Sequence, residues 1–425
     1  MAVTLERSSW PDSATDQGEL SSRAAAEAYV GGVCFKLGPP ALIGAELEWL
    51  TAGPTGARPS LELMAAALGP YAPTSIAPAS PAAPLPGGSM VTFEPGGQIE
   101  LSSAPFADTE ALTHNLRADA ARLRDLLAAH GIGIVSAAAD ADRPAERLLR
   151  LPRYAAMERR FDSVGPFGSL MMCNTAATQV SVDAGADADE VRARWTALYA
   201  LGPALIAAFA CSPVLHGAPQ GEWVSQRMRT WLRLDLSRTR PPVADWGDPI
   251  AAYAHWALDV PLLCVRCTER DADWSPPPGA TFADWLAGAL DDEVGRRPGT
   301  DDLDYHLTTL FPPVRAAGHL EVRYLDTQPG DTWTTPIHVV DALLSTPAVV
   351  EEATAIAAPT AGEWLGAART GLNDPQLRRA AVDLFELAEQ HARSVTAAQE
   401  LALAARRCRS GRSPLTVAKP AHDGS

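Results

Sequence analysis

Lysine is almost missing from this chain of 425 residues. Lys36 and Lys419 are the only two, and the other 33 of the 35 basic residues are arginine. Neither the phosphate-binding loop G-x-x-x-x-G-K-[ST] nor the S-x-x-K nucleophile pair occurs. The two motifs place a lysine on nucleotide phosphates or beside a nucleophilic serine, so chemistry that depends on either one is excluded.

Cysteine is also scarce. The six cysteines follow no disulfide framework, and the N-terminal sequence MAVTLERSSWPDS lacks the apolar core of a signal peptide. Both features favour a reduced, cytoplasmic setting. Cys264 and Cys267 form a C-x-x-C motif, but no second pair or nearby histidine completes four zinc ligands. A zinc site is therefore not favoured.

The chain has fewer basic than acidic residues. Asp and Glu number 51 against 35 basic residues, which gives a formal net charge of −16. Such a field repels phosphate backbones, so we predict no nucleic-acid partner.

One predominantly apolar run without charged residues, 195–215, is long enough to span a bilayer. Gly202-Pro203 interrupts this run, Ser212-Pro213 ends it, and the charged segment DADEVRAR precedes it. We interpret the run as a buried helix and predict no membrane association.

The overall composition is that of a globular protein, with 47% hydrophobic and 20% charged residues. A chain of this length buries about three quarters of its unfolded surface. We predict disordered segments at 1–18 and 410–425 and a single folded domain at 19–409. No internal repeat is present.

Hydrophobic periodicity and turn residues predict an α+β fold. The predicted strands lie in PPALIGAELEWL, in a hairpin around Pro95-Gly96-Gly97, in IGIVSAAA, in SLMMCNTAATQVSVDAG and in HLEVRYLDTQP. The predicted helices cover about 19–35, 108–131, 187–211 and most of 336–409.

Polar residues recur at every second position within these strands. The residues concerned are Glu46, Glu48, Glu94, Gln98, Glu100, Ser102, Gln179, Ser181, Asp183, Glu321 and Arg323. Side chains alternate across a strand, so residues i and i+2 project to one side, about 7 Å apart. The solvent-facing side of an antiparallel sheet would show the same pattern, and that alternative stays open here.

Convergence of four of these residues, Glu46, Glu48, Glu100 and Glu321, in one cleft would be costly. At an effective dielectric constant of about 20, each like-charge pair at about 5 Å costs about 3 kcal/mol. Six such pairs exceed the total stability of a typical fold, about 5–15 kcal/mol. The cluster must then bind cations or protons, and hard oxygen ligands select Mg²⁺ or Mn²⁺.

Several segments together resemble the glutamate–cysteine ligases of the plant and proteobacterial type, and especially their actinobacterial branch, whose members make γ-glutamylcysteine for ergothioneine synthesis. The segments are GAELEWL, TFEPGGQIELSSAP, RYAAMERRFDSVGPFGSLMMCNTAATQVSVD, ALIAAFACSPVLHG and TLFPPVRAAGHLEVRYLDTQP. The likeness runs in order over about 24–405, and EPGGQ-x-E-L-S is its most specific motif.

The resemblance implies a glutamine-synthetase-like fold, in which a curved, mainly antiparallel sheet flanked by helices forms a funnel-shaped active site. It implies ATP as co-substrate, two or three Mg²⁺ ions with Mn²⁺ as an alternative, and L-glutamate and L-cysteine as substrates. In this reaction the γ-carboxylate of glutamate takes the γ-phosphoryl group of ATP, and the amine of cysteine then displaces phosphate.

The resemblance also implies roles for individual residues. The implied metal ligands are Glu46, Glu48, Glu100 and Glu321, with Gln179 close to the metal. Arg323 is implied as the catalytic arginine that grips phosphate or a substrate carboxylate. Implied substrate contacts are Glu94, Gln98, Arg227 and Trp231, and implied ATP contacts are Arg238 and Arg323.

Some assignments have alternatives. Arg227 and Arg238 either bind ligands or belong to a solvated basic run, to which we assign Arg229 and Arg233. Met171, Met172, Trp231 and Tyr324 either line the cysteine pocket or belong to the core, and the core is favoured. Cys173-Asn174 stands where plant members carry an arginine, so any carboxylate contact made there must be supplied otherwise or is weakened.

Two other functions stay open. The first is a ligase of the same superfamily that uses another amine, because a methylene or thiol changes discrimination by only about 1–3 kcal/mol. The second is an inactive paralogue that serves as a binding protein. Retention of all four glutamates argues against the paralogue, since a chain freed from metal binding gains stability by losing them. The oligomeric state is not predicted.

Overall fold

The computed structural model describes residues 20–240, 247–267 and 273–416. The predicted disordered segment 1–18 lies outside these ranges, as do residues 417–425 of the predicted tail. Residues 410–416 have defined structure, including a 3-10 turn over Pro414–Thr416, beside which the Ser413 hydroxyl donates to the carbonyl of Ala210 at 3.1 Å. The prediction of disorder from residue 410 is therefore wrong for this part.

Seven strands form one sheet in the described part of the chain, with the order β2-β3-β1-β5-β7-β6 and with β4 paired to the far end of β1. Every strand pairing is antiparallel. The strands are β1 Ile43–Ala52, β2 Met90–Phe93, β3 Ile99–Ser102, β4 Gly133–Val135, β5 Ala177–Val182, β6 Val314–Ala316 and β7 Leu320–Asp326. The predicted hairpin is confirmed as β2 and β3.

Helices surround the sheet and fill the C-terminal part of the described chain. They are α1 Arg23–Cys34, α2 Leu61–Leu68, α3 Thr109–Ala128, α4 Pro152–Asp162, α5 Gly168–Asn174, α6 Ala188–Phe209, α7 Gln226–Leu232, α8 Leu236–Thr239, α9 Pro249–Asp259, α10 Phe282–Ala287, α11 Asp291–Val294, α12 Thr300–Leu307, α13 Thr334–Leu343, α14 Pro347–Ala357, α15 Trp364–Thr370, α16 Pro375–Gln390 and α17 Val395–Arg409.

The central strand β1 shows how the sheet separates its two sides. Ala45, Leu47 and Trp49 are at most 3% exposed and belong to the hydrophobic core. The alternating residues Glu46 and Glu48 are half-buried on the other side. Because β-strand side chains alternate, the apolar series directs the polar series into a shared space.

Helix α6 is the buried helix predicted from the uncharged run. It continues through Pro203, and a Cβ at Gly202 would lie 2.2 Å from the ring of Trp364, so only glycine allows this close packing. No helix in the described ranges is long and apolar enough to cross a membrane.

The prediction of a strand beginning at Ser169 is wrong. Residues 168–174 form α5, and β5 begins only at Ala177. Short apolar runs do not distinguish strand from buried helix. Here Met172 and Cys173 are buried against the β2–β3 turn, a contact that the local sequence does not reveal.

Candidate active site

The register of the sheet brings the predicted glutamates to one face. Glu48 pairs with Glu100 on β3, and Glu46 pairs with Gln179 on β5. The Gln179 amide nitrogen donates to Glu46 Oε2 at 3.1 Å and to Glu48 Oε1 at 2.9 Å. Glu321 lies one strand further, opposite Ser181. We call this polar side of the sheet the acidic face.

The acidic face is a cleft and not an exterior surface. Glu100 is 8% exposed and Glu321 is 1% exposed. The Ser102 hydroxyl lies 3.2 Å from both Glu46 Oε1 and Glu100 Oε1, so these two carboxylates share one partner. The alternative of a solvent-facing polar pattern is therefore wrong for these strands.

Glu94, which was predicted as a substrate contact, lies beside the carboxylates predicted as metal ligands. One oxygen each from Glu48, Glu94 and Glu100 lies within 4.8 Å of the others, which is the geometry of a shared cation. Among the described residues, this is the one group of three or more acidic, histidine or cysteine side chains with such spacing. Glu46 and Glu321 border the group without belonging to it.

The motif EPGGQ holds Glu94 and Glu100 in place. Gly97 has a φ of +85°, which favours glycine, and a Cβ at Gly96 would lie 2.3 Å from the carbonyl oxygen of Cys173. The Gln98 amide nitrogen donates to the carbonyls of Thr175 at 2.8 Å and Met172 at 3.3 Å. These residues fasten the turn to the end of α5.

Burial and mutual repulsion oppose ionisation in this group. Burial, followed by the charge of Glu94, raises the pKa of Glu48 to about 8 and that of Glu100 to about 8. Burial, followed by Glu100 and Glu321, raises the pKa of Glu46 well above its usual value. Without a cation, the cleft therefore favours protonated carboxyl groups.

Glu321 behaves in the opposite way. Burial disfavours its charge, but Arg315 and Arg323 outweigh that effect and lower the pKa to about 2. Arg315 Nε lies 2.7 Å from one carboxylate oxygen, and Arg323 Nη1 bonds the other. The last strand glutamate is therefore a charged group held between two arginines.

A β-bulge on β7 lies beside Arg323. Thr178 pairs with Leu325 and Val180 with Val322, so two residues of β7, Arg323 and Tyr324, stand opposite the single Gln179. Bulges of this kind re-aim side chains near functional sites.

The extra residue on β7 also changes which later residues share the acidic face. Asp326 pairs with Ala177, which precedes Gln179 by two positions on β5 and so points to the same side. Without the bulge, Asp326 and Arg323 would point to opposite sides, because three positions separate them.

Arg227, Trp231 and Arg323 form one assembly at the Glu48 end. The guanidinium groups of Arg227 and Arg323 lie 5.6 and 5.3 Å from the ring centroid of Trp231. Arg227 Nη2 donates to the carbonyl of Arg323 at 2.8 Å. Arg227 also interacts electrostatically with Glu48. The structure therefore brings this predicted substrate contact to the cleft.

Asp326 is a buried carboxylate that the sequence analysis missed. It accepts hydrogen bonds from the hydroxyls of Ser212 at 2.7 Å and Ser225 at 2.9 Å. Ser225 caps the N-terminus of α7, the helix that carries Arg227 and Trp231. Asp326 therefore positions this helix against the sheet. Asp326 is the third residue after Arg323, so strand alternation in the sequence assigns it to the opposite side of the sheet. The bulge reverses that assignment.

Arg238 lies apart from this assembly. Its three guanidinium nitrogens donate to Asp235, to the carbonyl of Thr309 and to the carbonyl of Pro261 at 3.1, 3.0 and 2.7 Å, and the side chain is fully buried. None of these partners belongs to the acidic face. Its predicted role in ATP binding stays a prediction.

The predicted solvated basic run contains one exposed and one buried arginine. Arg233 is exposed, but Arg229 is 4% exposed and donates to the carbonyls of Pro219 and Gln220 at 2.6 and 3.1 Å. The assignment of Arg229 to the solvated set is therefore wrong. Its charge is used to hold the loop between α6 and α7.

Two further positions are settled by their contacts. Tyr324 is a core residue, as predicted, since its hydroxyl donates to the carbonyl of Leu198 at 2.9 Å. Asn174 is buried and accepts a hydrogen bond from Arg58 at 2.5 Å. At the position where the resemblance implies an arginine in plant members, Asn174 thus has Arg58, from another segment, as its partner.

The residues of the cleft fit a divalent cation. The donors are carboxylate oxygens, and the Gln179 Oε1 atom is buried without a hydrogen-bond partner beside Glu46 and Glu48. A buried acceptor without a partner costs about 1–3 kcal/mol, which an ion would offset. Hard oxygen donors select Mg²⁺ or Mn²⁺ over zinc.

Comparison with known families identifies the family of the chain. The model of the glutamate–cysteine ligase family 2 matches residues 42–415. The chain belongs to this family. The matched range includes every carboxylate and arginine of the cleft, and the resemblance inferred from the sequence segments is confirmed.

Individual relatives extend the comparison. The chain is 38% identical to the glutamate–cysteine ligase EgtA of Mycolicibacterium smegmatis over 382 residues, which cover 88% of this chain and 86% of the relative. It is 37% identical to EgtA of Mycobacterium tuberculosis, with 89% and 86% covered. The chloroplastic glutamate–cysteine ligase of Medicago truncatula is 34% identical over 247 residues, which cover 57% of this chain and 48% of the relative.

A solved structure is similar in fold. The crystal structure of glutamate–cysteine ligase from Francisella tularensis in complex with AMP superposes with a TM-score of 0.54. It shares 13% sequence identity and covers 88% of this chain and 83% of its own. The predicted fold class, a glutamine-synthetase-like α+β fold built on an antiparallel sheet, is confirmed.

Proposed function

We propose that this chain joins the γ-carboxylate of L-glutamate to the amine of L-cysteine at the expense of ATP, giving γ-glutamylcysteine, ADP and phosphate. The observation that carries the proposal is the convergence of the carboxylates of the acidic face with Arg227 and Arg323 in one cleft. Membership of the glutamate–cysteine ligase family supports this choice among the reactions such a cleft can perform.

The two steps of the reaction make different demands on the site. A glutamate γ-carboxylate oxygen first bonds to the γ-phosphorus of ATP, and the bond from that phosphorus to the β,γ-bridging oxygen breaks. The cysteine nitrogen then attacks the acyl carbon, loses a proton and expels phosphate. Negative charge accumulates at the phosphoryl group in both steps, so fixed positive groups supply most of the rate.

The arginines of the cleft fit those demands. Arg323 lies on the acidic face beside the β-bulge, and Arg227 Nη2 lies 2.8 Å from the Arg323 carbonyl. A guanidinium group keeps its charge and binds carboxylate or phosphate with two parallel hydrogen bonds. We assign Arg227 to the α-carboxylate of glutamate and Arg323 to the transferred phosphoryl group.

The carboxylates would hold Mg²⁺. Glu48, Glu94 and Glu100 have the spacing of a shared site, and Glu46 with Gln179 extends it towards Glu321. When bound, the ion neutralises phosphate oxygens and the charge of the cleft. The chain's own contribution is to keep five carboxylates in register across β1, the β2–β3 hairpin and β7, so that they need not rearrange.

The choice of amine is tested by phosphate release. With ATP, Mg²⁺ and glutamate present, cysteine should support release well above alanine or 2-aminobutyrate. Equal rates with the three amines would favour a ligase that uses another amine. Glutamate must be required in each assay, which separates ligation from simple ATP hydrolysis.

Cation and nucleotide binding are tested separately from turnover. Excess Mg²⁺ with a nonhydrolysable ATP analogue should raise the melting temperature, because ligands that bind only the folded state stabilise it by mass action. No shift, together with no phosphate release, would favour an inactive paralogue.

The pathway is inferred from the same resemblance, and the compartment from cysteine usage and the N-terminal sequence. We propose that the product serves the synthesis of ergothioneine, a low-molecular-weight thiol, since the 37–38% identical relatives are named EgtA. A cytoplasmic location stays a prediction. All six cysteines are free thiols in the structure, which agrees with a reduced setting.

A further inference from the structure

Arg315 is an arginine of the acidic face to which the sequence analysis gave no role. It lies on β6, the edge strand, and pairs directly with Glu321 of β7. Residues directly opposite each other in an antiparallel pair point to the same side of the sheet. Arg315 therefore shares the cleft with Glu46 and Glu321, with which it interacts electrostatically.

The guanidinium group of Arg315 is only partly used. Its Nε atom bonds Glu321 at 2.7 Å, and its two Nη atoms donate no hydrogen bond to any described residue. The side chain is 21% exposed, compared with 2% for that of Glu321. Arg238, by contrast, donates from all three nitrogens to protein partners. The Nη groups of Arg315 are thus available to a ligand.

The arginines divide the acidic face into two ends. Arg227 interacts with Glu48 and Asp326, whereas Arg315 interacts with Glu46 and Glu321. Arg323 lies between them and shares Glu321 with Arg315. An elongated anion that contacts Arg323 can therefore also reach Arg315 on the edge strand.

That end of the cleft opens to solvent. A surface depression lined by Leu42, Gly44, Glu46, Ser103, Ser181 and His319 reaches the acidic face beside Glu46. At the opposite end, the β2–β3 turn packs against α5. A multiply charged ligand can therefore approach Arg315 from the side of this depression.

We propose that Arg315 binds the terminal phosphates of the nucleotide, beside the phosphoryl group held by Arg323. The inference rests on the proposed ligase function and names a residue that this function requires. Glu321 holds Arg315 and Arg323 in one orientation before the nucleotide arrives. The Nη groups of Arg315 then bond the phosphate oxygens without a large movement.

Nucleotide binding without turnover tests the proposal. Isothermal titration with Mg²⁺ and either a nonhydrolysable ATP analogue or AMP should be compared for the intact chain and for Arg315→Gln. A lost bond to a charged group weakens binding by about 10- to 100-fold. We expect this loss for the triphosphate analogue and a change within about twofold for AMP, because AMP lacks the terminal phosphates.

The matched control is Arg122→Gln, which removes an equal charge from an exposed position on α3. It should bind both nucleotides like the unmodified chain. Arg315→Lys keeps the charge without the planar fork and should weaken only the triphosphate analogue, by a smaller factor. It also serves as the test variant if Arg315→Gln does not fold.

Two results would overturn the proposal. One is unchanged affinity of the Arg315 variants for the triphosphate analogue. The other is an equal loss for the analogue and AMP, which means that Arg315 only positions Glu321 or supports the fold. Glutamate-dependent phosphate release by the unmodified chain is measured alongside. Its absence would reject the ligase function, whereas its presence with unchanged affinities would reject only the role of Arg315.

Discussion

The two ends of the acidic face contain the same residue type in opposite electrostatic states. At one end, burial and neighbouring carboxylates raise the pKa values of Glu48 and Glu100 to about 8. At the other, two arginines hold the pKa of Glu321 at about 2 despite its burial. The charge of a glutamate in this cleft is decided by its partner and not by its depth.

This difference indicates a division of roles. At the Glu48 end, the charges of Arg227 and Arg323 do not outweigh burial and the repulsion by Glu94, so a cation completes this end. The Glu321 end already has its positive charge, so it orients arginines for an anion. An ATP-dependent ligase needs both, because metal and guanidinium groups must meet the same phosphate chain.

The largest expected effect comes from removing a carboxylate at the Glu48 end. Glu48→Gln should reduce turnover by about 10²- to 10³-fold, the loss that follows removal of one group that supports transition-state charge. Calorimetric Mn²⁺ binding should be lost with it. The melting temperature at pH 8 without metal should stay equal or rise, because a repelling charge is removed.

The control for this variant is Glu351→Gln, at an exposed position of α14. It should leave turnover, Mn²⁺ binding and melting unchanged. If Glu48→Gln retained normal turnover, the Glu48 end would not be the cation site.

The matching change at the Glu321 end should lower the stability of the fold as well as the activity. Glu321→Gln leaves Arg315 and Arg323 without their anionic partner, and breaking a buried ion pair costs about 3–5 kcal/mol of unfolding free energy. Turnover should also be lost. Urea denaturation at pH 7 measures the first effect.

The stabilising effect of Glu321 depends on pH in a defined direction. Its pKa in the folded state lies below the usual 4.5, so the stabilisation is present above about pH 4.5 and declines as the pH falls towards 2. The difference in unfolding free energy between the unmodified chain and Glu321→Gln should therefore become smaller in acid. A difference that is constant from pH 7 to pH 3 would contradict the ion-pair interpretation.

Cation binding at the Glu48 end should depend on pH in a higher range. Metal must displace protons from Glu48 and Glu100, whose folded pKa values are about 8. Mn²⁺ affinity should rise by up to about tenfold per pH unit for each proton released between pH 6 and 8, then level off. Without metal, the free energy of unfolding should fall between pH 6 and 8, because the pKa values of Glu48 and Glu100 are higher in the folded than in the unfolded state. Affinity independent of pH would contradict a protonated cleft.

The smallest effect is expected at Trp231. Trp231→Phe removes the hydrogen bond from Nε1 to the carbonyl of Phe311, 3.0 Å long, but keeps a ring beside Arg227 and Arg323. We expect kcat/KM to fall by a factor equivalent to about 1 kcal/mol. Trp285→Phe is the matched control, because Trp285 also bonds a carbonyl and stacks on an arginine, Arg296. An equal loss of kcat/KM in both would indicate a general stability effect.

The predictable part of the site is the part that follows strand periodicity. Glu46 and Glu48, two positions apart on β1, were placed correctly because alternation across a strand is local. The EPGGQ turn was recognisable for a similar reason, since Gly97 needs a positive φ and Gly96 allows a close approach.

The missed part depends on contacts between distant segments. The bulge opposite Gln179 brings Asp326 to the acidic face, although counting by twos from Arg323 excludes it. Residues 168–174 became a helix because the turn packs against them. Arg229 and Arg238 belong to one basic run in the sequence, and both are buried. Arg238 donates to the distant carbonyl of Thr309, and Arg229 donates to the carbonyl of Pro219 in the preceding loop.

The sequence by itself determined the family, the antiparallel strands and the side of each strand that carries acids, because alternation and turn geometry act over a few residues. Only the tertiary structure decided which carboxylates are charged and which arginines face the cleft. Those properties depend on burial and on charges brought together from β1, β3, β7 and α7, and Coulomb energies of this kind are set by distance in space and not along the chain.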